Sequence, residues 1–173
     1  MKLDEAIKLI TGINGRPNQK WADLGCGDGL FTRALANLLG KDSIIHAVDT
    51  NQRALSAIHD KEKETQIKKY KFDFVDKELP FNDLDGILMA NSFHFVKNKS
   101  IFISKLKTRL KPEHILLVVE YDTDVSNPWV PYPISFKSLE KFFRENGYGS
   151  ILKLHETPSL YNRANIYSAI SKS

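Results

Sequence analysis

Cysteine is nearly missing from this chain: Cys26 is the single one in 173 residues. A lone thiol excludes an intrachain disulfide and leaves no cysteine cluster for zinc. Long apolar runs are lacking too, and nothing approaches the roughly 20 residues a membrane-spanning helix needs. The first dozen residues carry Asp4 and Glu5 at helical spacing in place of a signal peptide's pattern. A reducing cytoplasm is the expected location. Nor is charge strongly of one sign: 25 basic against 21 acidic residues give +4. That excess demands neither a nucleic acid nor a membrane partner. Repeats, low-complexity tracts and linkers are absent, so residues 1–173 are expected to form one domain with a sizeable core.

What is present is concentrated in residues 20–31, Lys-Trp-Ala-Asp-Leu-Gly-Cys-Gly-Asp-Gly-Leu-Phe. A short apolar run ends at Asp23; glycines alternate at Gly25, Gly27 and Gly29; a helical pattern then starts at once. Strand, glycine turn and helix N-terminus form the recurring cradle for a nucleotide-like ligand. The dinucleotide spacing G-x-G-x-x-G is not met, because Leu30 stands where the third glycine belongs. Asp23 and Asp28 would also repel a pyrophosphate. An adenosine ligand with positive charge and no phosphate suits such a loop better, and S-adenosylmethionine, with its sulfonium and ammonium, is one.

Trp-Ala-Asp-Leu-Gly-Cys-Gly-Asp-Gly, residues 21–29, resembles motif I of the class I S-adenosylmethionine-dependent methyltransferases. The resemblance extends over most of the chain. It implies a doubly wound, Rossmann-like α/β fold and a mostly parallel seven-stranded sheet whose last strand is antiparallel. It also implies S-adenosylmethionine as cofactor and S-adenosylhomocysteine as product.

The periodicity agrees. Helical spacing marks 3–11, 30–39, 51–63, 98–110 and 136–146. Strand patterns cover 20–24, 43–48, 67–72, 84–90 and 115–119, and two closing runs at 150–155 and 165–170 suggest an antiparallel pair. Strands alternating with helices mean a parallel sheet covered on both faces. The N-terminal helical segment, 1–15, is expected to cover the cofactor site.

Ligands bind beyond the carboxyl ends of such strands, where Asp23, Asp49, Asp73 and Asn91 stand. Asp49, with Thr50 beside it, falls 24 residues after Gly25, where an acid bridging ribose hydroxyls belongs; the competing role is a helix N-cap. Asp23 is expected to offset the cofactor's ammonium, directly or through water, or to pin the glycine loop by accepting its N–H groups. Gly25, Cys26 and Gly27 form the cradle itself, and Cys26 is expected to be a small buried residue, not a nucleophile. Asp73-Phe74 resembles the family's third-strand motif, which implies a carboxylate on the adenine amino group and a side chain on the ring. Asp76 competes for that role.

Amino-methylating enzymes that act on bases or glutamine have Asn/Asp-Pro-Pro-Tyr after the fourth strand. Asn91-Ser92-Phe93-His94 departs from it and looks more like small-molecule methyltransferases, which often place a histidine there. His94 is therefore the candidate general base, weighed against a structural role. Glu120, Tyr121 and Asp122 are further candidates to face the acceptor. The Trp129–Tyr132 segment is either a stiff aromatic lid or a patch packed over the sheet edge. The basic residues at Lys97, Lys99, Lys105, Lys107, Arg109 and Lys111 show no single-face pattern and read as solvated surface. The reading is methyl transfer to a small-molecule acceptor; a non-catalytic cofactor-binding protein, a nicotinamide-dependent oxidoreductase and an RNA-modifying enzyme are its rivals.

Overall fold

A computed structural model describes residues 1–159 and 164–173. The strands are β1 (Lys20–Leu24), β2 (Ile44–Asp49), β3 (Lys61–Glu62), β4 (Thr65–Lys71), β5 (Leu84–Ala90), β6 (Leu110–Tyr121), β7 (Ser150–Pro158) and β8 (Asn165–Lys172). They form one sheet in the order β3-β4-β2-β1-β5-β6-β8-β7. β4, β2, β1, β5 and β6 are parallel, and β8 inserts antiparallel between β6 and β7. The helices are α1 (Leu3–Leu9), α2 (Leu30–Leu38), α3 (Gln52–Ser56), α4 (Lys99–Lys107) and α5 (Phe136–Glu145), with a 3₁₀ turn at Phe93–Phe95.

Eight strands stand where seven were expected, and one misread segment accounts for the difference. The helix expected over 51–63 stops at Ser56. Beyond it Lys61–Glu62 pairs antiparallel with Thr65–Gln66 around a turn in which Lys63 takes a positive φ of 52°. Lys69 holds this corner: its Nζ donates to the Ile58 carbonyl at 2.9 Å and pairs with Asp60 at 2.6 Å. Glu62 in turn receives Arg33 at 3.0 Å. A charged run that resembles a solvated helix end is a small hairpin clamped by ion pairs.

Strand alternation divides the core. On β6, Leu117 and Val119 face the layer of α1 and α2 with Trp21, Phe31 and Leu35, while Leu116 and Val118 face the layer of α4 and α5 with Phe102, Leu139 and Phe143. Both faces are covered, which is why 115–119 is continuously apolar. Each fully buried Leu or Phe there contributes about 1.5–3 kcal/mol. Between β4 and β5 the crossover, residues 72–83, contains no helix. Phe81 covers that face instead, stacked on His46 of β2 at 4.1 Å and 12°. Among the described residues no helix is long and apolar enough to cross a membrane.

Candidate cofactor and acceptor site

The parallel strands end on one rim, and the glycine loop wraps over the end of β2. The N–H groups of Gly25 and Cys26 both donate to the Val48 carbonyl, at 2.8 and 3.0 Å. The N–H of Gly27 donates to Asp49 Oδ2 at 2.8 Å, and Asp49 Oδ1 receives Asn51 N–H at 2.8 Å. The helix cap next door is therefore Asn51, which accepts from Arg53 and Ala54, and not Asp49 or Thr50. Asp49 is half-buried and Thr50 exposed beside it. With three loop amides engaged inside the protein, this cradle offers few donors to a phosphate. Its free capacity is of the opposite kind.

Asp23 has no exposed surface; its Oδ2 accepts from the Thr32 hydroxyl at 2.6 Å, and its Oδ1 has no donor. The Gly25, Cys26 and Gly27 amides go to Val48 and Asp49, and none of them reaches Asp23. Burial pushes the Asp23 carboxyl up to about 7, against the Thr32 hydrogen bond, and the charge of Asp49 adds to the rise. Asn91, at the end of neighbouring β5, holds a positive φ of 52°, and its buried Oδ1 is likewise without a donor. Burial also raises the Cys26 thiol far above its ordinary range, followed by the charges of Asp23 and Asp49, which disfavours the thiolate form.

Gly25 and Gly27 differ. At Gly25 (φ +79°) a Cβ would stand 2.5 Å from the Ser92 Cβ; at Gly27 (φ +55°) nothing lies within 4 Å. The loop is closed below and open above. Asp73 Oδ1 caps its own turn by accepting Val75 N–H at 2.9 Å. Phe74 turns inward, its ring 5.8 Å from Phe102 and against the underside of Gly25. Asp76 is exposed.

On the far side of Asn91, His94 is buried at 3% exposure. Its Nδ1 lies 2.8 Å from Glu120 Oε2, and its backbone N–H donates to Glu120 Oε1 at 3.0 Å. A carboxylate accepts only, so the ring proton sits on Nδ1, and Nε2 has no partner among the described residues. The Trp129–Tyr132 segment lies over this turn and not over the sheet edge. Tyr132 N–H donates to the His94 carbonyl at 3.0 Å, and Lys99 Nζ donates to the Tyr132 carbonyl at 2.7 Å. Burial pulls the Lys99 ammonium down to about 8, and Glu120 partly counters it. Trp129 stays 80% exposed and Phe95 50% exposed beside His94.

A cavity of about 600 Å³ opens between α1 and the end of β7, lined by Lys8, Leu9, His155, Pro158 and Ile166 among others. Ile166 is paired with Tyr121, the neighbour of Glu120, so the cavity lies at the same rim. Sequence reasoning missed Thr32, Ser92 and the partnership of Glu120 with His94. The parallel register of β5 with β6, which sets Ala90 beside Val119, carries the last one, since it brings Glu120 level with the turn after Asn91.

A doubly wound sheet with an antiparallel strand inserted near its edge, and a glycine loop ringed by carboxylates, is the class I methyltransferase fold. Residues 22–116, more than half of the chain, match the family described as "Methyltransferase domain", and the chain belongs to it. It is 29% identical over 117 residues to the ubiquinone/menaquinone biosynthesis C-methyltransferase of Wigglesworthia glossinidia brevipalpis, a match over 65% of this chain and 47% of that protein. The chain thus spans about half the length of that curated relative. Among solved structures it is similar to a SAM-dependent methyltransferase from Aquifex aeolicus, with TM-score 0.64 and 18% identity over 98% of this chain and 87% of that one. It is also similar to the Haemonchus contortus phosphoethanolamine N-methyltransferase 2 in complex with S-adenosyl-L-methionine, with TM-score 0.73 and 14% identity over 98% and 51% of the two chains.

Proposed function

We propose that the protein transfers a methyl group from S-adenosylmethionine to a small-molecule acceptor. One observation carries the reading: at the rim the loop amides are engaged inside the protein, while two buried acceptor oxygens, Asp23 Oδ1 and Asn91 Oδ1, have no donor. Surplus acceptors suit a cation and hydroxyl groups, not a pyrophosphate. The Asp49 oxygens have lone pairs left for two ribose hydroxyls, Asp73 for the adenine amino group, and the open space above Gly27 admits the ligand. Thr50, Cys26 and Phe74 border the same cradle.

S-adenosylmethionine, when bound, supplies a methyl group activated on a sulfonium. The chain's part is to hold donor and acceptor in line, and such positioning can supply about 7–11 kcal/mol of the barrier. The acceptor would enter at the rim beside Asn91 and His94, with α1 covering the neighbouring end of the site. His94 takes the acceptor's proton on Nε2, its ring fixed by Glu120. The Trp129–Tyr132 segment shields the turn that bears it.

Calorimetric titration tests the cofactor half. S-adenosylmethionine and S-adenosylhomocysteine should bind at roughly micromolar strength and NAD negligibly; equal binding of NAD would overturn the assignment. Transfer of labelled methyl to a panel of amines, phenols, thiols and carboxylates tests the other half. Failure with every acceptor, together with tight cofactor binding, would favour a non-catalytic binding protein.

A further inference from the structure

Two carboxylates in the described chain have no exposed surface, Asp23 and Glu120, and they are provided for differently. Glu120 receives two N–H groups from His94. Asp23 receives a single hydroxyl, and its other oxygen has nothing. A bare buried carboxylate oxygen carries a large desolvation cost, and the cheapest relief in the absence of a cation is a proton. The groups that face Asp23 supply no cation. From α2 comes the Thr32 hydroxyl and from the end of β2 the Asp49 carboxylate; the Cys26 thiol, itself acted on by the Asp23, Asp49 and Asp28 carboxylates, lies nearby in the loop, and on neighbouring β5 Asn91, three residues past the Leu88 that pairs with Asp23, adds a bare acceptor oxygen.

We propose that Asp23 carries a proton in the unliganded protein and releases it to solvent when the ammonium group of the cofactor's amino-acid end arrives at β1 and β5, so that cofactor capture is proton-coupled. The inference rests on reading the rim as an S-adenosylmethionine site. In the step the Asp23 O–H bond breaks and its proton passes to water. The ammonium keeps all its protons and offsets the new carboxylate charge. The carboxyl, raised to about 7 by burial, is poised for this exchange near neutrality.

The consequence has a sign. Below neutral pH the proton must be displaced and binding weakens; as pH rises through the Asp23 range that cost disappears. Coupling also discriminates between ligands, because only one bearing the ammonium drives the release. 5′-Methylthioadenosine, which keeps the nucleoside and lacks the amino acid, drives none.

The test is calorimetry at pH 6 with S-adenosylhomocysteine, in phosphate and in Bis-Tris, whose ionisation heats differ. The heats should differ by the equivalent of about 0.9 proton released, falling to roughly half a proton at pH 7, with apparent affinity rising about fivefold between them. 5′-Methylthioadenosine should give the same heat in both buffers. Asp23→Asn should bind S-adenosylhomocysteine with buffer-independent heat and pH-independent affinity. Thr32→Val, which removes the hydrogen bond favouring the ionised form, should move the release to higher pH. The comparison of the two ligands on the wild-type protein decides the matter even if the Asp23 variant does not fold. Buffer-independent binding of S-adenosylhomocysteine at pH 6, or equal proton release with 5′-methylthioadenosine, would overturn the coupling. Absence of binding by either nucleoside would overturn the cofactor reading itself.

Discussion

The Glu120 carboxylate receives two hydrogen bonds from one residue, the backbone N–H of His94 at Oε1 and its Nδ1 at Oε2. The pair ties the turn after β5 to the end of β6 and fixes which ring nitrogen is bare. Glu120→Ala strands two buried donors, at about 1–3 kcal/mol each, and should lower the urea midpoint sharply. Glu120→Gln is the informative change. Its amide N–H₂ can face Nδ1, which moves the ring proton to Nε2. Nitrogen-15 spectra of the histidine ring should show the tautomer reversed. If His94 is the base, turnover should drop about 10²–10⁴-fold with the fold intact. Retained turnover with a reversed tautomer would end that role.

His46 predicts acid sensitivity. It is 7% exposed, stacked on Phe81, with Nδ1 3.2 Å from the Tyr70 hydroxyl. Burial, followed by Lys68 and Lys20, lowers its pKa to about 4 from 6.5. The folded-state value lies below the unfolded one, so the folded state favours the neutral ring. Its contribution is fully present above the unfolded value and is lost as pH falls from 6.5 toward 4. The loss should reach on the order of 3 kcal/mol. Chemical denaturation at stepped pH should show that slope, and His46→Gln should flatten it.

Much of this was legible because it is local. The glycine loop, the strand-ending acids and the continuous run at 115–119 each announce themselves within a few residues, and the sheet follows from their alternation. The segment 51–63 was misread because a solvated helix end and a clamped hairpin share a composition; Lys69 and Arg33, which decide between them, lie elsewhere in the chain. The link between His94 and Glu120 spans 26 residues, and that between Ser92 and Leu24 spans 68. No periodicity reports such contacts. The bare oxygens of Asp23 and Asn91 are visible only once every neighbouring donor has been placed.

Asp49→Ala removes the acceptor for Gly27 N–H and Asn51 N–H as well as for the proposed ribose hydroxyls. Both readouts should therefore move. Affinity for S-adenosylhomocysteine should fall roughly 10- to 150-fold, as when hydrogen bonds to a charged group are lost. The Tm of the free protein should fall too, because the loop loses its tie to β2. A lowered Tm with unchanged affinity would confine Asp49 to holding the loop.

The two loop glycines separate folding from binding. Gly25→Ala combines a left-handed backbone, φ +79°, with a methyl 2.5 Å from the Ser92 Cβ and 3.3 Å from the Phe74 ring. Ser92 cannot retreat freely, since its hydroxyl donates to the Leu24 carbonyl. Left-handed strain of about 1–2 kcal/mol and overpacking of about 1–3 kcal/mol add, and the variant should be severely destabilised. Gly27→Ala carries the strain of its φ of +55° but meets nothing within 4 Å. It should fold, with a Tm only a few degrees lower, as expected for about 1–2 kcal/mol in a domain of this size. Its methyl, however, occupies the open space through which a ligand would approach the Asp49 carboxylate, so affinity for S-adenosylhomocysteine should drop tenfold or more. Thermal melts with and without the ligand measure both effects on one sample. If Gly27→Ala folds and its melt is still raised by the ligand as in the wild type, the space above Gly27 is not where the cofactor lies.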